Sequence, residues 1–137
     1  MKHNTGSTKI FIIVALVLLA GVAYYFSSPE EPASEQSLDV AVISAEIKNN
    51  EAVLLDVRTE KEIETDGYAA GSMHFNLALL EAGELPNIPR NIRVYIYCLG
   101  GVRAEKAKTI LEENGFTDVI NIGGCHDWEV AGGEVIR

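Results

Sequence analysis

The sequence predicts an α/β domain with a mainly parallel central sheet flanked by helices. Short apolar, β-forming runs alternate with segments of helical character from about residue 44 onward. The strongest β run, RVYIY at residues 93–97, leads straight into Cys98, two glycines and an amphipathic helix. A third observation sets the domain's limit. Residues 10–26 carry no charge at all, which marks an N-terminal hydrophobic anchor helix outside the α/β domain.

Residues 1–9 form a basic N-terminal segment, with Lys2 and Lys9 ahead of the apolar run. That run is 17 residues long. A spanning helix needs about 20 apolar residues with a lower limit of about 17, and a signal-peptide core has about 7 to 15. Residues 10–26 therefore read as a transmembrane anchor or a signal-peptide core. Tyr24, Tyr25 and Phe26 favour the anchor, because aromatics settle at membrane interfaces. Positive charge before the run and Glu30, Glu31 and Glu35 after it place the folded domain on the exported side. That side is periplasmic, whether the domain is anchored in the cytoplasmic membrane or released by cleavage. Residues 27–37 (SSPEEPASEQS) bury little apolar area and read as a flexible linker. The α/β domain is then residues 38–137.

Within it, Ser44 caps a short helix. Residues 52–57 (AVLLDV) have the apolar continuity of a buried parallel strand. Residues 59–65 are charged and helix-compatible, and Gly67 ends them. Residues 73–77 suggest a short strand, and residues 77–85 a small helix stopped by Pro86 and Pro89. After the strand at 93–97, apolar residues at 104, 107, 110 and 111 define one face of a helix that Asn114-Gly115 terminates. Residues 119–122 form a further strand, broken by Gly123-Gly124. Trp128 follows in a loop or helical turn, as a packing residue.

The whole chain has a net charge of −9. With Lys2 and Lys9 set aside, nine basic residues face twenty acidic ones, so the part beyond the apolar run carries −11. Such a domain repels phosphate backbones and anionic lipid surfaces, which argues against a nucleic-acid partner. Two cysteines, Cys98 and Cys125, are too few for a disulfide framework. His3, His74 and His126 show no metal-ligand spacing, and no metal or organic cofactor is implied.

The chemistry centres on Cys98. Ligands of open α/β sheets bind beyond the carboxyl ends of strands, where Cys98 stands. Gly100 and Gly101 let backbone N–H groups turn inward, and the helix that follows adds its N-terminal N–H groups. Such a nest holds an anion, either a thiolate or a persulfide. Leu99, Gly100, Gly101, Val102 and Arg103 are the candidate binding loop, with Arg103 adding positive charge. Asp56 and Arg58 follow a buried strand. Their pairing would lock neighbouring loops, with anion binding by Arg58 as the lesser alternative. His74 reads as a local hydrogen-bonding residue. Cys125 follows another strand end and is either a small hydrophobe or a second thiol that meets Cys98.

These residues fall in a familiar order. CLGGVRA at residues 98–104 resembles the active-site loop of rhodanese domains. DVRT at residues 56–59, followed by Glu62, is similar to the DVR signature of that family. GYAAGSMHFNL at residues 67–77 is similar to its Gly-His-Ile-Pro-Gly-Ala segment, with Gly67 and Gly71 matching. Gly115-Phe116, Gly123-Gly124, Trp128 and Gly132 resemble its closing elements. Tyr68, Ala70 and Leu99 depart from the pattern. Leu99 stands where thiosulfate-using members often carry a basic residue. The resemblance implies a rhodanese-like fold over residues 38–137. It also implies a sulfurtransferase with Cys98 as nucleophile. A small sulfur donor such as thiosulfate and a thiol or cyanide acceptor would be the partners, a thiol-bearing protein among them.

Three rival readings share the same residues. Phosphatase and arsenate reductase loops generally place five residues between cysteine and arginine, and this loop has four. A non-catalytic binding module does not require Cys98 and Arg103. A thiol redox protein would use Cys98 and Cys125 without a Cys-x-x-Cys motif.

Overall fold

The computed structural model describes residues 38–137. Among them no helix is long and apolar enough to cross a membrane. The anchor or signal-peptide reading of residues 10–26 and the linker at 27–37 lie outside the described residues.

Helix α1 (Val40–Lys48) opens the domain. Its cap is Asp39, whose carboxylate accepts a 3.1 Å hydrogen bond from Val42 N. Ser44 lies inside the helix instead. A carboxylate caps as well as a hydroxyl, and the earlier start extends the helix along the sheet. Ile43 is buried there and Ile47 packs beside it.

Strand β1 (Ala52–Asp56) and helix α2 (Glu60–Asp66) match their sequence patterns closely. Thr59 and Glu62 form a reciprocal capping box at the start of α2, and Gly67 closes its end. Strands β2 (Tyr68–Ala69) and β3 (Ser72–His74) and helix α3 (Leu77–Glu81) follow. Asn76 caps α3. Then come strand β4 (Arg93–Cys98) and helix α4 (Val102–Glu113). Strand β5 (Val119–Gly124), helix α5 (Cys125–Val130) and strand β6 (Val135–Ile136) complete the chain. Trp128 is 1% exposed within α5, so its packing role holds.

Strands β3, β1, β4 and β5 lie side by side in that order and all run parallel. Strand β2 pairs antiparallel with β6 in a separate two-stranded ribbon. Both faces of the main sheet are covered, as parallel sheets require. Side chains alternate along β4 accordingly. Val94, Ile96 and Cys98 pack with Ala104, Ala107 and Leu111 of α4 and Leu77 and Leu80 of α3. Tyr95 and Tyr97 pack on the other face with Ile43 of α1 and Cys125 and Trp128 of α5. Central strand β4 therefore delivers Cys98 to the carboxyl edge of the sheet, between the ends of β1 and β5.

Candidate active site

Cys98 ends β4 on the α4 face, and only 1% of its surface is exposed. The chain then turns through Leu99 and Gly100 to Gly101, whose φ is +87°. Glycine alone takes this left-handed geometry without a Cβ penalty. The turn carries the Gly101 N–H back onto the Cys98 sulfur, at 3.1 Å. The first helical bond of α4 runs from Glu105 N to Gly101 O, at 2.9 Å. By helix geometry, the N–H groups of Val102, Arg103 and Ala104 before it have no intrahelical acceptor. Sulfur and helix N-terminus thus share one corner, where negative charge is favoured. Leu99 and Val102 turn their side chains outward, with Val102 82% exposed, so the loop's outer surface is apolar.

Two neighbours in β5 shape this loop. A Cβ on Gly124 would collide with the Leu99 carbonyl, so only glycine lets the two chains approach this closely. Asn121 donates to the Gly101 carbonyl at 3.1 Å.

Arg103 extends from the first turn of α4 toward α2. Its Nη1 and Nη2 donate to the two carboxylate oxygens of Glu62, at 2.8 and 2.5 Å. This fork-to-fork pair is the strong, orientationally fixed kind of ion pair. Arg103 holds Glu62 down at about 2, with burial opposing and Thr59 helping. In return Glu62 raises Arg103, burial opposes, and the Cys98 sulfur adds to the rise. Glu62 follows the DVRT signature in sequence, but its ionic role was not legible without the α2–α4 contact.

Asp56 and Arg58 are both fully buried and joined by a 2.7 Å ion pair. Arg58 also donates to the Gly67 carbonyl at 2.7 Å, and its guanidinium lies 5.5 Å from the centroid of the Tyr97 ring. Tyr97 in turn accepts from Ala69 N at 3.0 Å. This is the loop lock that the sequence suggests for the pair. It ties the ends of β1 and α2 to β2 beneath the site. The structure gives no support to anion binding by Arg58, because a guanidinium in this lock is closed to a donor arriving at the loop. One guanidinium nitrogen, Nη1, has no hydrogen-bond partner among the described residues. The ring of His74 bonds the Arg58 carbonyl at 2.8 Å, a local contact.

Cys125 is buried with Tyr97 and Trp128, whereas Cys98 belongs to the cluster on the other face of the sheet. Both thiols are free. Burial pushes the Cys125 thiol up, with Arg58 opposing. The passive reading of Cys125 fits this placement, and a role as partner to Cys98 does not. Each cysteine follows a strand signal in the sequence, and only the fold shows that Cys98 and Cys125 pack in different clusters.

A family model for the rhodanese-like domain matches residues 39–131. The tRNA uridine(34) hydroxylase of Citrobacter koseri is 31% identical over 110 residues, which cover 75% of this chain and 31% of that protein. The chain therefore spans about a third of the length of this curated relative. A rhodanese-like domain protein from Staphylococcus aureus is 29% identical with a TM-score of 0.56, over 72% of this chain and 95% of that one. A rhodanese-related protein from Thermoplasma volcanium is 26% identical with a TM-score of 0.58, over 73% and 96%. The family match runs across every element that builds the site, from α1 through α5, and the chain belongs to the rhodanese-like domain family.

Proposed function

We propose that this chain is a sulfurtransferase that carries a sulfane sulfur on Cys98. The observation that carries the reading is the Gly101 N–H donated to the Cys98 sulfur at the N-terminus of α4. With thiosulfate as donor, the Cys98 thiolate attacks the outer sulfur. A new S–S bond forms on Cys98, the donor's S–S bond breaks, and its electron pair leaves on sulfite. Cyanide or a thiolate then attacks the terminal sulfur of the persulfide. The product is thiocyanate or a new persulfide, and Cys98 returns as thiolate. Sulfur and charge balance in both halves without an external oxidant. Splitting one transfer into two displacements is covalent catalysis. The Gly101 N–H and the N-terminus of α4 favour negative charge on sulfur throughout, which is preorganised electrostatic stabilisation. Arg103 stands beside the loop with its charge paired to the Glu62 carboxylate.

The curated relative's name refers to tRNA hydroxylation. This chain spans 31% of that protein, and its −11 charge beyond the apolar run opposes a polyanionic substrate. A small donor and a thiol or cyanide acceptor, or a thiol-bearing protein, suit the site better. We also propose that the domain is exported, held by residues 10–26 or released after cleavage.

The test is thiocyanate production from thiosulfate and cyanide by the full chain in detergent. Cys98→Ser is expected to lower turnover by about a thousandfold or more, the scale seen when a covalent nucleophile is removed. Turnover retained in that variant would rule out Cys98 as the sulfur carrier.

A further inference from the structure

We infer that Asn121 is a positioning residue for the Cys98 loop. The inference rests on the sulfurtransferase reading for its consequence in turnover, but its geometry stands by itself.

Strand β5 carries a register shift against β4. Ile96 faces Asn121 and Cys98 faces Gly124, so two residues of β4 span three of β5. Such a bulge bends a strand and re-aims a side chain. Here it turns the Asn121 amide under the start of α4. Its Nδ2 donates to the Gly101 carbonyl at 3.1 Å and to the Glu105 carboxylate at 2.8 Å. Its Oδ1 accepts from Gly123 N at 3.0 Å, which closes the bulge on itself. Gly101 is also packed against this bulge, since a Cβ there would lie 3.4 Å from Gly123 Cα.

One amide therefore does two things to the sulfur site. It fixes Gly101, the residue whose N–H reaches the Cys98 sulfur. A peptide is planar, so fixing the Gly101 carbonyl also fixes the direction of the Val102 N–H. Glycine has the largest conformational freedom to lose, and Leu99 and Gly100 beside it are exposed, so the loop needs an external tie. The same amide pins the Glu105 carboxylate on the β5 side. Released, that carboxylate sits in the first turn of the helix whose N-terminus faces the sulfur. There it would oppose negative charge on Cys98.

The experiment uses the full chain with Asn121→Ala and the near-isosteric, uncharged Asn121→Leu, which removes both donated bonds without adding a charge. Iodoacetamide alkylation is followed against pH on the peptide that carries Cys98, and thermal unfolding is recorded in parallel. This readout needs no sulfur donor. Both variants are expected to move the alkylation profile to higher pH, with about tenfold slower labelling on its rising limb, the effect of a shift of one unit. In a thiosulfate assay kcat should fall more than the donor KM rises. Profiles that superimpose on wild type in both variants would overturn the inference. So would a shift confined to Asn121→Ala that appears only as the domain melts. If wild type takes up no sulfur from any donor, the sulfurtransferase reading fails, and the alkylation profiles still decide the role of Asn121.

Discussion

At the scale of single residues, the site is a set of fixed charges around one sulfur. Glu62 is the most informative of them. Its carboxylate is held at about 2, against an ordinary value of 4.5, chiefly by the Arg103 fork. A lowered carboxylate stabilises the fold fully above 4.5, and the contribution is lost as the pH falls toward about 2. The thermal stability of the wild type should therefore fall as the pH drops through that window. Glu62→Gln should cost about 2 kcal/mol at neutral pH, the scale of a charge-assisted hydrogen-bonded pair, and flatten the same window. Parallel pH curves for the two proteins would contradict this role. Arg58 shows the limit of reading residues singly. Its place after DV suggests a lock or an anion contact, and the tertiary packing on Tyr97 and Gly67 is the geometry of a lock.

At the scale of elements, the parallel strands and the helix after Cys98 were legible because their signals are local. Residues 93–97 are β-forming throughout, and the apolar spacing at 104, 107 and 111 buries the face of α4 against the sheet. The capping box of Thr59 and Glu62 sharpens a helix start that charge alone suggested. What stayed hidden depends on pairing across the chain. Strands β2 and β6 contribute two residues each, and neither has a periodic signal of its own. The β5 bulge likewise arises only from its register with β4, so Asn121 looked like an ordinary strand residue. The Gly123-Gly124 pair was its one visible trace. In sequence the pair resembles a strand breaker, whereas the ladder continues to Gly124 and the close approach to Leu99 requires glycine there.

At the scale of the whole molecule, an acidic α/β domain follows a charge-free segment in sequence, and the domain is proposed to be an exported sulfur carrier. The proposed orientation rests on Lys2 and Lys9 before the segment and the acidic residues after it. Protease added to spheroplasts should digest the domain, and protection until the membrane is broken would place it in the cytoplasm instead.

The central claim is that Cys98 holds the transferred sulfur, and intact mass tests it most directly. The purified, reduced chain is incubated with thiosulfate beside Cys98→Ser, and each is then treated with cyanide. The account expects the mass of one sulfur atom on the wild type alone, removed by cyanide. No gain on folded wild-type protein, or an equal gain on Cys98→Ser, would contradict it.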